Sequence, residues 1–137
     1  AVERAVQHAL ADARREPGQV DAVFAGANGL PSTDRAEIVG LQAALASRNS
    51  ADPVPTTAIK SSLGESFGAA GAFQALALVL AMEHGEIPPV RGLEESLELE
   101  TPALDLCRER RHTPIRTGLI TAVGLDGNAA ALVIGAP

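Results

Sequence analysis

The sequence has no tryptophan and no tyrosine, and its aromatic side chains are confined to Phe24, Phe67 and Phe73. A core must therefore be built from Ala, Leu, Val and Ile, and stacking surfaces for bases or sugars are scarce. A single cysteine, Cys107, excludes an internal disulfide, and no Cys/His pairs stand at ligand spacing for structural zinc. The expectation is no metal, no cofactor and a reducing, cytoplasmic setting. Lysine is nearly missing: of the 11 basic residues only Lys60 is not arginine. That makes Lys60 a candidate for a specific task, with chance as the plain alternative. The arginines are scattered apart from Arg14–Arg15 and the group Arg108, Arg110 and Arg111, and the net charge is -6, so no basic stripe is available for nucleic acid. No apolar run of membrane-spanning length escapes interruption by Gly, Glu or His, and no membrane partner is expected.

What is present describes a packed domain. At 137 residues, with 46% hydrophobic and 20% charged, the chain has room for one domain, 1–137, and hardly two. Val2, Val6, Ala9, Leu10 and Ala13 recur at helical spacing over Val2 to Arg15, ended by Pro17-Gly18. Asp21 to Ala25 reads as a buried strand, and Gly26 to Thr33 as a loop. Thr33 or Asp34 then caps a helix to about Ser47. Asn49 to Pro55 reads as a surface connection before a strand at Thr56 to Ile59.

From Ser66 to His84 the pattern is helical and apolar almost all round, with Gln74 the exception before Glu83 and His84. A helix apolar on every face is expected to be buried on every face. Gly85 supplies its left-handed cap, and Pro88-Pro89 forbids resumption. Gly92 to Thr113 reads as polar and irregular, with a short strand at Leu97 to Leu99. Arg116 to Val123 and Ala129 to Ile134 read as strands joined through an Asp-Gly turn. The order implies an α/β layered fold, a mixed sheet packed on a buried central helix.

Three segments then fall into register with one family. Ile59-Lys60-Ser61-x-x-Gly64-Glu65-x-x-Gly68-Ala69-Ala70-Gly71, followed by the apolar helix and Gly85-x-Ile87-Pro88-Pro89, resembles the C-terminal half of the β-ketoacyl synthases of the thiolase fold. In condensing members the segment reads K-S-x-x-G-H-x-x-G-A-A-G, so Glu65 stands where a catalytic histidine would be. Phe24-Ala25-Gly26-Ala27-Asn28-Gly29, followed by Asp34-x-x-Glu37, resembles the family's strand, loop and D-x-x-E segment. An ungapped alignment puts the other catalytic histidine on Gly26; a one-gap alignment puts it on Asn28. The ungapped version is similar to the chain-length factors, the ketosynthase-like subunits that pair with an active ketosynthase in type II polyketide systems. Val123-Gly124-Leu125-Asp126-Gly127-Asn128-Ala129 resembles the F-G-F-G-G-x-N-A loop, with both phenylalanines aliphatic and one glycine replaced by Asp126.

The resemblance covers 1–137, the second half of a typical subunit, without the half that carries the nucleophilic cysteine. Ala1 opening inside a helical pattern fits a trimmed or split boundary. The family's chemistry decarboxylates a malonyl thioester and stabilises the enolate with two histidine donors. Glu65, when ionised, offers acceptors and repels an enolate; protonated, it would need a strongly raised pKa and would still lack the second donor. The resemblance implies no catalytic residue on this chain, and a degenerate site lined by Gly26, Asn28, Lys60, Glu65, Gly124 and Leu125. Asp34, Glu37 and Lys60 are expected to form a buried salt-bridge network that positions the loops. Glu65 is expected to complement the dipole of the apolar helix, or to pair with Lys60 or an arginine. Cys107 is expected to be structural, and His8, His84 and His112 to lie on the surface. The glycines Gly64, Gly68 and Gly71 resemble a phosphate loop, but no strand-loop-Lys-Ser/Thr order follows and close packing explains them better.

The functional expectation is a non-catalytic, chain-length-factor-like subunit that pairs with a ketosynthase, with or without a separate N-terminal half chain. It would shape the acyl tunnel and meet acyl carrier protein through the complex. The alternative is the C-terminal piece of a split synthase whose partner supplies cysteine, acting as acyltransferase or decarboxylase. A third reading, a scaffold recruiting acyl carrier protein alone, is disfavoured by the -6 charge.

Overall fold

The computed structural model describes residues 1–48, 52–94 and 102–136. Its centre is a five-stranded sheet in the order β4-β2-β1-β6-β7, formed by β1 (Ala22–Phe24), β2 (Val54–Thr57), β4 (Leu104–Leu106), β6 (Thr117–Val123) and β7 (Ala129–Gly135). The first four run parallel, with Val23 opposite both Thr56 and Leu119, while β7 closes one edge antiparallel, from Thr117↔Gly135 to Val123↔Ala129. A small antiparallel ribbon pairs β3 (Glu86–Ile87) with β5 (Arg111–His112). The α/β class and the mixed sheet are as expected.

Strand alternation divides the core into two layers. Val23, Val54, Leu104 and Leu119 face α1 (Val2–Asp12) and α2 (Pro31–Leu45), meeting Val2, Val6, Leu10, Leu41 and Leu45. Ala22, Phe24 and Ile120 face the other way, onto Leu78 and Ala81 of α4 (Ala70–His84), with Ile87, Cys107 and Ile115 around them. Two glycines make these layers close. A Cβ at Gly40 would sit 2.5 Å from Val2 Cβ, so α1 and α2 cross at near-backbone contact. A Cβ at Gly118 would overlap the Leu78 side chain, which lies directly on β6.

Several boundaries differ from expectation for identifiable reasons. The second helix starts at Pro31, not Asp34, because proline is preorganised for the first helical position; Thr33 and Asp34 fall inside the first turn rather than at its cap. The second strand is Val54–Thr57 rather than Thr56 to Ile59. The long helix expected from Ser66 starts later: after a short α3 (Lys60–Leu63) and Gly64 (φ 80°), a 3-10 turn at Phe67–Ala69 takes its first residues and α4 begins at Ala70. At 15 residues α4 is about 22 Å long. Gly85 caps it in the left-handed conformation, φ 65°, as expected. Strands β3, β4 and β5 were not expected. They lie in or next to a charged stretch where alternation is too short to read. The strand expected at Leu97 to Leu99 lies outside the described residues.

The apolar helix also departs from expectation in its surroundings. It is not buried on every face: Ala70, Gln74, Leu78 and Ala81 are buried, whereas Phe73 is 45% and Leu76 is 55% exposed, with Val79 and Leu80 beside them. Phe67–His84 is, by length and composition, apolar enough to cross a membrane, although Gly68, Gly71, Glu83 and His84 fall within it. In this fold α4 lies along β6, and Gln74 Nε2 donates to the carbonyls of Phe24 and Thr121, tying the helix to the sheet.

Candidate functional site

The carboxyl ends of β1 and β6 and the start of α3 converge on an open cleft of about 730 Å³. Parallel strands aim their carboxyl ends at one edge, which is where open α/β sheets place their ligands. The loop after β1 is held from below by Glu37. Its Oε1 accepts the Gly26 amide at 2.8 Å and the Thr121 hydroxyl at 2.6 Å, while Oε2 accepts the Ala27 amide at 2.8 Å. With Glu37 only 3% exposed, both oxygens are fully engaged.

That arrangement separates the two positions the alignment leaves open. A Cβ at Gly26 would stand 3.0 Å from Glu37 Oε1 and 3.2 Å from the Thr121 carbonyl, and Gly26 does not line the cleft. Asn28 does. Gly26 is thus packed against the loop's anchor, a correction to its expected place in the site lining.

The polar floor is a three-residue chain. Asn28 Nδ2 donates to the Val123 carbonyl at 2.7 Å, and its Oδ1 accepts from Lys60 Nζ at 2.6 Å. Lys60 Nζ also meets Glu65 Oε2 at 2.8 Å, and Glu65 Oε1 accepts the Phe67 amide at 2.7 Å. The hydrogen bond from Lys60, followed by that from the Phe67 amide, holds the Glu65 carboxyl below its ordinary value. Glu65 is therefore ionised at neutral pH and an acceptor only. Phe67 is pinned in a left-handed backbone, φ 48°, with its ring 84% exposed.

The expected network of Lys60 with Asp34 and Glu37 does not form. Glu37 is saturated by the loop amides and Thr121, Asp34 accepts the Gly29 amide at 3.0 Å, and Lys60 turns toward Asn28 and Glu65. Of the two structural roles expected for Glu65, pairing with Lys60 is the one observed.

Gly124 and Leu125 line the opposite wall. The β6–β7 turn is closed by Gly124 N–H donating to the Asn128 carbonyl at 2.8 Å, and Asp126 accepts the Asn128 side-chain amide at 2.6 Å. Leu30, Phe67 and Leu125 rim the cleft, and Ala122, Val123 and Ala129 continue its apolar wall. Sequence reasoning missed Phe67, Leu30 and Thr121. The signal for Gln74, the exception in an apolar helix, was visible but not used.

Cys107 is not in a polar connection: it is fully buried in the α4-side core, where burial pushes its thiol up. It is far from the activated thiolate a nucleophile requires. The arginine group is engaged locally, Arg111 with Asp105 at 2.6 Å and Arg110 with Glu86 at 3.4 Å. Among the described residues, no three His, Cys, Asp or Glu side chains gather as a metal site.

Comparison with known proteins places this geometry. Residues 1–94 match the family described as β-ketoacyl synthase, C-terminal domain. Over an alignment of 139 residues the chain is 42% identical to "Putative polyketide beta-ketoacyl synthase 2" of Streptomyces coelicolor, covering 96% of this chain and 30% of that protein. The protein of the same name from Streptomyces halstedii is 40% identical over 95% of this chain and 30% of its own length. Among solved structures, the ishigamide ketosynthase/chain length factor superposes with a TM-score of 0.88 at 31% identity, covering 99% of this chain and 32% of that chain. A type II polyketide synthase acyl carrier protein in complex with its ketosynthase contains a chain that matches with a TM-score of 0.89 at 26% identity, over 100% of this chain and 33% of its own. The chain spans about 30% of the length of these curated relatives. It belongs to the β-ketoacyl synthase C-terminal domain family, on the ketosynthase-like lines that its K-S-x-x-G-E segment resembles.

Proposed function

We propose that this chain is the C-terminal part of a non-catalytic, chain-length-factor-like subunit in a type II polyketide or polyene system. In this reading it pairs with an active ketosynthase, in the cytoplasm, and meets acyl carrier protein through that complex. The observation that carries the reading is the closed Asn28–Lys60–Glu65 chain, where condensing enzymes need two donors aimed at an enolate. An ionised carboxylate held by Lys60 cannot donate, and Asn28, with its oxygen on Lys60 and one of its two amide N–H groups on Val123, keeps one donor where two groups are needed.

The exposed apolar face of α4 supports a covering partner. Phe73, Leu76, Val79 and Leu80 lie together on it. Large apolar patches of this kind mark interaction surfaces. A Cβ at Gly68 or Gly71 would meet nothing within 4 Å, so nothing among the described residues requires glycine there. Small residues in open space suit an element that approaches at backbone distance, and the remaining part of a thiolase-fold subunit, in the same or a separate chain, fits that requirement.

The test is co-expression with a ketosynthase followed by affinity purification through this chain. A stoichiometric complex is expected; a stable, monodisperse monomer that leaves the ketosynthase behind overturns the proposal. Acyl transfer that is lost on Glu65→Ala would instead favour a split synthase whose partner supplies the cysteine.

A further inference from the structure

We infer that the outer edge of β7 pairs with the same edge of a second copy of this chain, antiparallel about a twofold axis at Leu132, so that two five-stranded sheets run on as one. The edge is separate from the apolar flank of α4, which packs on β6, and the inference stands without the covering partner proposed above.

The sheet leaves a row of backbone groups over. β6 and β7 pair without a slip from Thr117↔Gly135 to Val123↔Ala129, so the ladder has no bulge. Just beyond its ends, the Gly124 amide donates to the Asn128 carbonyl at 2.8 Å and the Ala136 amide to the Arg116 carbonyl at 2.7 Å. Antiparallel ladders alternate between hydrogen-bonded and non-hydrogen-bonded pairs. The even-numbered residues of β7 therefore spend their backbone groups on β6, and Ala129, Ala131, Val133 and Gly135 turn theirs outward. Among the described residues, no backbone hydrogen bond from another element reaches those four.

Edges of this kind are ordinarily guarded by charge, proline, a bulge or short length. The opposite edge of the sheet is guarded: β4 has three residues, and its Asp105 is paired with Arg111 at 2.6 Å. β7 has none of these devices. It is seven residues of Ala, Leu, Val, Ile and Gly. Ala129, Ala131 and Val133 face the α1 layer, so alternation puts Leu132, 50% exposed, on the other face beside Ala130 and Ile134.

Self-complementarity and charge select the occupant. Outward groups stand at odd positions, so an antiparallel copy sets odd opposite odd, and only the register with Leu132 on the axis overlaps the whole strand. Ala131 then exchanges two bonds with the second copy's Val133, and Ala129 with its Gly135. Leu132 meets its own copy in a non-hydrogen-bonded pair, Cα atoms about 4.5 Å apart. The ends agree in charge. The Arg15 guanidinium lies beside Gly135, 3.8 Å from where a Cβ there would stand, and the exposed Asp126 sits in the turn at the other end of the strand. An antiparallel copy brings the Arg15 end of each strand to the Asp126 end of the other, whereas a parallel copy would set like charges together.

The experiment uses the protein in the assembly in which it purifies, with single cysteines on β7 oxidised by copper phenanthroline and the products separated on a non-reducing gel. The native Cys107 is buried and serves as the background. Leu132→Cys places two thiols across the axis within disulfide reach, while Ala130→Cys faces the second copy's Ile134 and lies beyond the roughly 7 Å Cα limit from its own copy. A band of twice the chain's mass is expected for Leu132→Cys at a yield at least tenfold above that for Ala130→Cys. Adding Ala131→Pro to Leu132→Cys removes an outward donor without touching the β6 ladder, and is expected to lower that yield at least tenfold. Equal yields from the two cysteines overturn the inference, as does no doubled band from Leu132→Cys, a link from it to a different protein, or a yield indifferent to Ala131→Pro. Should Ala131→Pro fail to fold, as read by circular dichroism, the comparison of the two cysteines still decides.

Discussion

Lys60 Nζ lies 2.8 Å from Glu65 Oε2 and 2.6 Å from Asn28 Oδ1, so one ammonium joins the polar side chains on the floor of the cleft. Glu65 also accepts the Phe67 amide and thereby fixes the turn that precedes α4. Replacing the carboxylate disturbs a hydrogen-bonded loop as well as a charge.

Histidines placed at Asn28 and Glu65 are not expected to create condensation. The double variant Asn28→His, Glu65→His is expected to yield no β-ketoacyl product from acyl and malonyl thioesters when this chain is assayed alone, because it contributes no activated cysteine: Cys107 is buried in the core, its thiol pushed up. Product detected by mass spectrometry above the level of the parent chain would contradict this.

The Glu65 carboxyl gives an acid-side prediction. Its pKa in the folded chain is lowered below the unfolded value of about 4.5, so the folded state binds fewer protons through this group. Its stabilising contribution is present above about pH 4.5 and is lost as pH falls through the lower folded value. Glu65→Gln should therefore flatten the acid limb of stability below pH 4.5, relative to the parent, in chemical denaturation followed by circular dichroism. The group is exposed, so the change is small; identical acid limbs would show that the carboxylate contributes no linkage.

Glu37 carries a larger structural burden. Its two oxygens satisfy the Gly26 amide and the Thr121 hydroxyl, both buried, and the part-buried Ala27 amide. Glu37→Ala strands these donors, and with an unsatisfied buried group costing about 1–3 kcal/mol, the variant is expected to lose about 2 kcal/mol or more. Urea unfolding measures the loss. Thr121→Val, which removes only the hydroxyl, should cost less.

These contacts also mark what the sequence made legible. The K-S-x-x-G-E and D-x-x-E segments announced the family and the elements that carry the site, because side-chain identity and spacing are local properties. The partners were not legible. Lys60 selects Asn28 over Asp34 and Glu37 because Glu37 is taken by amides of the β1 loop, a fact set by backbone geometry that no spacing encodes. The late start of α4 was not legible for a similar reason: helical periodicity reads straight through Phe67, whose left-handed backbone is held by its amide's bond to Glu65. Strand β4 escaped because three residues, Leu104–Leu106, are too few for alternation to register. Cys107 was read as part of a polar connection because its neighbours Asp105 and Arg108 are charged, yet the chain turns its thiol into the core.

The glycines of the second half separate internal packing from packing against a partner. At Gly118 a Cβ would overlap Leu78, so Gly118→Val forces α4 away from β6 and is expected to destabilise this chain by about 1–3 kcal/mol. At Gly71 a Cβ would meet nothing within 4 Å, and the residue, exposed in the first turn of α4 on the stripe of Gln74 and Leu78, lines the cleft. Gly71→Leu should leave the stability of the isolated chain within about 0.5 kcal/mol, or raise it slightly through better helix propensity. If the cleft beside the first turn of α4 is covered at backbone distance, the same substitution places a leucine side chain in the contact and should weaken association with the covering partner at least tenfold in a titration by light scattering or interferometry. Loss of stability in the isolated chain would mean that Gly71 is needed internally. Unchanged association would mean that the covering element does not approach this end of the helix.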